Sequence, residues 1–176
     1  MAHNIRFDII KRCSITVLVL LAGIPVAVQA GRERAVVVQV IDGDTLKISW
    51  QGRKASLRLI GIDAPESKKN RKAFRDSTRK HGDIDVIIAQ GKQAAKYVKS
   101  LIRKGDTIAI EFDVERKDRY RRLLGYAYLP DGRMLNDLII RNGYASPLTI
   151  PPNIKYRKKF LKSYRYARRH RLGLWR

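Results

Sequence analysis

Between Arg58 and Glu66 an apolar strand runs into a turn that carries one cation and two carboxylates: Arg58, Asp63 and Glu66. A strand that only fills a core has no use for these three side chains so close together. A site that must hold a metal ion and a phosphate together has use for all of them. Carboxylate oxygens bind hard cations such as calcium. A guanidinium presents a planar fork to phosphate oxygens. Pro65 fixes the turn between the acids and biases Ala64 toward an extended backbone. Arg58 and Asp63 have opposite parity, so an unbroken strand would send them to opposite faces. Gly61 is the residue expected to break it, as a bulge or a sharp bend. The plainer alternative is a solvated strand end with charges at its turn.

Other charged turns could join this one. Asp42-Gly43-Asp44-Thr45 lies between two apolar alternating stretches. Its Asp-Gly step is a hairpin signal. Asp42 is explained by that turn chemistry. Asp44, directly after the glycine, is not. A basic cluster, Arg119 to Arg122, lies farther along the chain. If a fold gathers these pieces, two arginines and several carboxylates meet. Phosphodiester hydrolysis needs such a meeting. The substrate is anionic, and the transition state gathers charge on the phosphoryl oxygens. Cations offset that charge while a carboxylate orients a water. Asp44 and Asp63 could supply the two carboxylates that a calcium ion needs.

The elements that must position these residues follow from periodicity. Residues 35–41, 46–50 and 55–62 read as three antiparallel strands in a meander. Residues 67–85 are polar and basic without a steady apolar period. They read as a long mobile loop with a helical turn near 72–77. Residues 87–103 carry Ala94, Ala95, Val98, Leu101 and Ile102 at helical spacing. Strands follow at 106–112 and 123–129, then helices at 134–141 and 154–169. Five strands with a helix between the third and fourth match the OB-fold, a five-stranded Greek-key barrel, here with three α-helices in an α+β chain. Such barrels bind oligonucleotides, but fold analogy alone does not make an enzyme.

Composition narrows the partners. The chain has 38 Lys+Arg against 16 Asp+Glu, a formal charge of +22. That excess predicts attraction to a polyanion with strong salt dependence. Residues 1–30 read as a secretory signal peptide. Arg6, Lys11 and Arg12 precede a short apolar run, and Val28-Gln29-Ala30 offers small residues for cleavage. The expected location is therefore secreted or periplasmic. An uncleaved membrane anchor is the alternative. The mature domain is expected at 31–176, a monomer with no stable protein partner and no membrane contact. The only cysteine, Cys13, falls in the signal segment, which excludes a disulfide framework and a cysteine-based metal site.

The motifs resemble the staphylococcal-type thermonuclease family. The matching pieces are Ile41 to Thr45, Arg58 to Glu66, Asp118-Arg119-Tyr120-Arg121-Arg122 and Asn136 to Gly143. The resemblance implies a calcium-dependent nuclease, with magnesium the second choice. It would cleave DNA and RNA with little sequence preference and leave 3′-phosphate ends. Asp44, Asp63 and the Ala64 carbonyl would bind the metal, with Asp42 behind them. Glu66 would orient the attacking water. Arg58 and Arg122 would hold the phosphate, while Arg119 and Tyr120 would contact the substrate. Three departures stand out. Ala64 replaces a threonine of the staphylococcal enzyme, and Arg121 replaces a glycine. Leu148, Thr149 and Ile150 occupy the region where that enzyme has two tyrosines against the nucleotide. The loop over 67–90 is also longer. Two other readings compete: a non-catalytic nucleic-acid-binding OB-fold module, and a cationic protein that adheres to anionic surfaces.

Overall fold

A computed structural model describes residues 31–80 and 82–176. The proposed signal peptide and its cleavage lie outside the described residues. Among the described residues no helix is long and apolar enough to cross a membrane.

The meander forms as its alternation predicts. Strands β1 (Arg32–Asp42), β2 (Thr45–Trp50) and β3 (Arg53–Leu59) pair antiparallel in sequence. Strand β5 (Thr107–Glu111) pairs antiparallel with β1, and β6 (Leu123–Tyr128) pairs antiparallel with β5. Strand β6 also pairs parallel with β3, which closes a five-stranded barrel in the order β1-β2-β3-β6-β5. Closure leaves no open edge for another chain to extend. Val37, Leu46, Ile48, Leu57, Leu59, Ile108, Ile110 and Leu123 point inward and are buried.

The expected break in the third strand is real. Gly61 has φ +81°, and a Cβ there would lie 2.4 Å from the Phe160 ring. Both facts demand glycine. After it, β4 (Ile62–Asp63) leaves the barrel and pairs with β7 (Ser146–Pro147). The single strand expected over 55–62 is thus two strands in two sheets.

Among the described residues four α-helices surround the barrel rather than three. Helix α2 (Ile84–Leu101) starts three residues earlier than its apolar period suggests, because Asp83 caps it by accepting the Asp85 N–H at 2.8 Å. Helices α3 (Leu135–Arg141) and α4 (Arg157–Arg169) pack on each other and on the barrel. Asn136 on α3 is fully buried and ties two elements together. Its amide donates to the Ile60 carbonyl at 2.8 Å and accepts the Ala127 N–H at 3.0 Å.

The additional helix corrects the loop reading of 67–85. Helix α1 (Arg71–Lys80) fills ten residues of that stretch. Among its described side chains only Ala73 and Asp76 are buried, and Phe74 is exposed. So narrow an inward face leaves no apolar period to detect. The local signal is Asn70, whose side chain accepts the Ala73 N–H at 2.9 Å as a helix cap.

Candidate active site

The β2–β3 register places Thr45 opposite Arg58, so Asp44 at the head of β2 lies beside the end of β3. The Arg58 guanidinium sits between two acids. Its Nη2 is 3.0 Å from Asp44 Oδ2 and 3.4 Å from Asp63 Oδ1. Its Nη1 donates to the carbonyls of Leu59 at 3.1 Å and Asp44 at 3.4 Å. The bend at Gly61 makes this possible by bringing Asp63 back to the face of Arg58. Asp44 is only 4% exposed. Its Oδ2 accepts the Ala64 N–H and its Oδ1 accepts the Thr45 hydroxyl, both at 2.9 Å. One buried carboxylate therefore fixes the arginine and the turn that carries Asp63 and Glu66.

Glu66 is positioned from the other side by α1. The Lys72 ammonium is 2.9 Å from Glu66 Oε1 and 3.0 Å from Asp63 Oδ1, and it donates to the Ala64 carbonyl at 2.9 Å. Asn70 donates to Glu66 Oε2 at 2.6 Å. The residue that caps α1 thus also holds the acid. Burial alone would lower the Lys72 pKa. The fields of Asp44 and Asp63 and the hydrogen bond to Glu66 outweigh it, and the pKa is raised. Helix α2 supports the backbone. A Cβ on Gly91 would lie 2.1 Å from the Glu66 carbonyl oxygen, so only glycine lets the helix approach this closely. Asp42 accepts the Ser67 N–H at 3.3 Å and also the Ser67 hydroxyl. It acts on the site through the backbone that follows Glu66.

Asp44, Arg58, Asp63, Ala64 and Glu66 thus come together at one end of the barrel. Asp44 and Asp63, read from the sequence as carboxylates for a calcium ion, both pair with Arg58. The oxygens of Asp63, Ala64 and Glu66 converge on a second, Lys72. Two carboxylates and a carbonyl around one positive centre are the donor set of a hard cation. Asp44, Asp63 and the Ala64 carbonyl are oxygen donors of the kind that a divalent ion takes. Among the described residues, no three acidic, histidine or cysteine side chains gather as a metal cluster.

Arg122 stands apart from the acids of this cluster. It sits two residues before Leu124, the strand partner of Arg58. Its guanidinium pairs with Asp118, with both contacts at 2.7 Å. The Asp118 carboxylate also accepts the N–H groups of Tyr120 at 2.9 Å and Arg122 at 3.0 Å. This aspartate therefore shapes the whole loop. Arg121 has φ +63°, a left-handed conformation that suits the glycine it replaces. Arg119 donates to the hydroxyl of Tyr120 at 2.8 Å, and the tyrosine is 65% exposed. Leu148 and Thr149 line a small cavity with Gly61 and Phe160, and Ile150 is exposed.

The pattern described as staphylococcal nuclease homologue matches residues 56–176. The chain belongs to that family. It is similar to the thermonuclease of Staphylococcus intermedius, 32% identical over 143 residues that cover 81% of this chain and 76% of that protein. It is also similar to two proteins of Bacillus subtilis (strain 168). Endonuclease YncB is 31% identical over 139 residues, 78% of this chain and 59% of that protein. The SPbeta prophage-derived endonuclease YokF is likewise 31% identical over 139 residues, but these make up only 42% of its length. The chain therefore spans less than two thirds of these two Bacillus relatives.

Sequence reasoning missed Lys72, Asn70, Gly91 and Asp118 as parts of this family member's site. Asn70 carried a readable signal as a helix cap. Lys72 did not, because it is one cation among many in a basic stretch.

Proposed function

We propose that this member of the staphylococcal nuclease homologue family is a metal-dependent nuclease. It hydrolyses phosphodiester bonds in DNA and RNA with little sequence preference and leaves 3′-phosphate ends. The observation that carries the reading is the Arg58 guanidinium held between Asp44 and Asp63 beside Glu66, on a chain of charge +22. The positive field draws the polyanion in. Arg58 is fixed by two acids and two carbonyls, so it meets a phosphoryl oxygen without reorganising. Arg122 supplies the second guanidinium to the phosphate from its loop, next to Arg119 and Tyr120. Glu66 orients the water that attacks phosphorus, and the 5′-oxygen leaves. Calcium is the ion proposed here, with Asp44, Asp63 and the Ala64 carbonyl as its ligands and Asp42 supporting them. When bound, it neutralises charge on the phosphoryl group. The cations and apolar run at the N-terminus support action in a secreted or periplasmic setting, and the high charge favours a monomer.

The test incubates the purified protein with single-stranded DNA, double-stranded DNA and RNA. Each is run with calcium, with magnesium and with a chelator, beside a Glu66→Ala control. The expected result is calcium-dependent cleavage that disappears in the control. Salt-sensitive binding without cleavage would overturn the enzyme reading in favour of a binding module.

A further inference from the structure

The metal-binding reading above leaves one strong contact unexplained. The Lys72 ammonium touches two of the oxygens proposed as ion ligands, Asp63 Oδ1 at 3.0 Å and the Ala64 carbonyl at 2.9 Å, and it also pairs with Glu66 Oε1 at 2.9 Å. A surface lysine that merely balances charge pairs with one acid and keeps most of its length in water. This one bridges two acids and a carbonyl, and its side chain is 25% exposed. It is delivered by the first turn of α1, whose cap Asn70 holds the other oxygen of Glu66. The cap and the lysine therefore grip one carboxylate from both sides.

We propose that Lys72 is a tethered cation that competes with the divalent ion for Asp63 and the Ala64 carbonyl while it holds Glu66. The inference rests on the metal-dependent reading of the site. Without a divalent ion, Lys72 keeps Asp63 and Glu66 from repelling each other and holds Glu66 in place. When the ion binds, the ammonium must leave, because two cations cannot share the Asp63 and Ala64 oxygens at contact distance. Lys72 thereby sets the concentration of free ion at which the site loads. It is a positioning residue that acts through Glu66 and Asp63. The geometry leaves it a short path out, since α1 meets the barrel end through Asn70 and Lys72 and, of its described side chains, only Ala73 and Asp76 are buried.

The test is calorimetric titration of the protein with calcium chloride, comparing wild type, Lys72→Met and Lys72→Arg. Removing a competing charge at contact distance is expected to tighten calcium binding about tenfold. Lys72→Arg keeps the charge and is expected to stay near the wild-type affinity. In chelator the methionine variant should melt below wild type, and saturating calcium should raise its melting temperature more. Lost structural support alone would weaken calcium binding, so tightening separates the two roles. Equal or weaker binding in Lys72→Met would overturn the proposal and leave the metal-dependent reading standing. No calcium binding in any of the three proteins would overturn both.

Wild-type protein gives a check that needs no folded variant. Limited labelling with an amine-reactive reagent, read by mass spectrometry, should modify Lys72 severalfold faster in calcium than in chelator. Other exposed lysines serve as the reference. An unchanged or slower rate at Lys72 would overturn the proposal.

Discussion

Glu111 and the acids around Arg58 are satisfied in different ways. Glu111, at the end of β5, is 8% exposed. It accepts hydrogen bonds from the Tyr128 hydroxyl at 2.7 Å and the Tyr156 hydroxyl at 3.0 Å. It also pairs with Lys155 at 2.5 Å and with Arg32 at 3.6 Å. One carboxylate there faces two cations and two hydroxyl donors. At the other group Asp44, Asp63 and Glu66 share Arg58 and Lys72. Three carboxylates there face two cations. The first group has every lone pair engaged and nothing left to do. The second keeps a surplus of negative charge inside a strongly basic chain. Buried charge that is fully paired reads as structure, whereas a surplus reads as a site that expects another cation.

Removing charge from each group should break that contrast in opposite ways. The largest effect is expected from Arg58→Ala, which strips both Asp44 and Asp63 of their shared partner. Turnover should fall about a thousandfold. Stability should also drop by about 3 kcal/mol, because Asp44 is left buried and uncompensated. Denaturant unfolding beside a cleavage assay reads both. Glu66→Ala should cost turnover about a hundredfold or more with little loss of stability. Equal stability losses in the two variants would show that the arginine is not the clamp described here.

At the other group Glu111→Gln should leave cleavage unchanged and cost stability by about 1–3 kcal/mol. The pH dependence has a definite sign. Burial alone would raise the Glu111 pKa, but the hydrogen bonds from Lys155, Tyr128 and Tyr156 overcome it and the pKa is lowered. A lowered carboxylate pKa contributes stability above the unfolded value, and that contribution is lost as pH falls through the folded value. Wild type should therefore lose melting temperature below about pH 4, and the variant should lose less over the same interval. Parallel acid limbs in the two proteins would refute the assignment.

A smaller effect is expected where helix packing meets the site. Gly91→Ala places a methyl against the Glu66 carbonyl, so α2 or the Glu66 turn must shift. Turnover should fall about tenfold, because small misplacements at a reacting centre are expensive. The smallest change is expected from Arg121→Gly, which relieves a left-handed φ and should raise stability by about 1 kcal/mol or less, since glycine carries its own entropic cost. Chemical denaturation measures it, and a destabilised variant would show that the loop is not strained there.

Much of the barrel was legible because its signals are local. Alternation at Ala35 to Ile41 and the Asp42-Gly43 turn specify a hairpin whatever the rest of the chain does. The parity mismatch between Arg58 and Asp63 demanded a break, and Gly61 was the residue able to supply it. Helix α1 was not legible because its inward face is reduced to Ala73 and Asp76. Its cations look like any solvated charge run until the helix is docked. The departure at Arg121 was visible in the sequence, but that it adopts φ +63° was not.

The sequence by itself determined which groups this protein can use: an arginine, three acids and a turn that holds two of them together. It also determined the strands, since backbone alternation depends on near neighbours alone. Tertiary structure decided which charges meet. Arg58 lies 14 residues from Asp44 in the chain, and Lys155 lies 44 residues from Glu111. Charge pairs form across whatever surfaces packing brings to contact distance, and no local pattern encodes that distance.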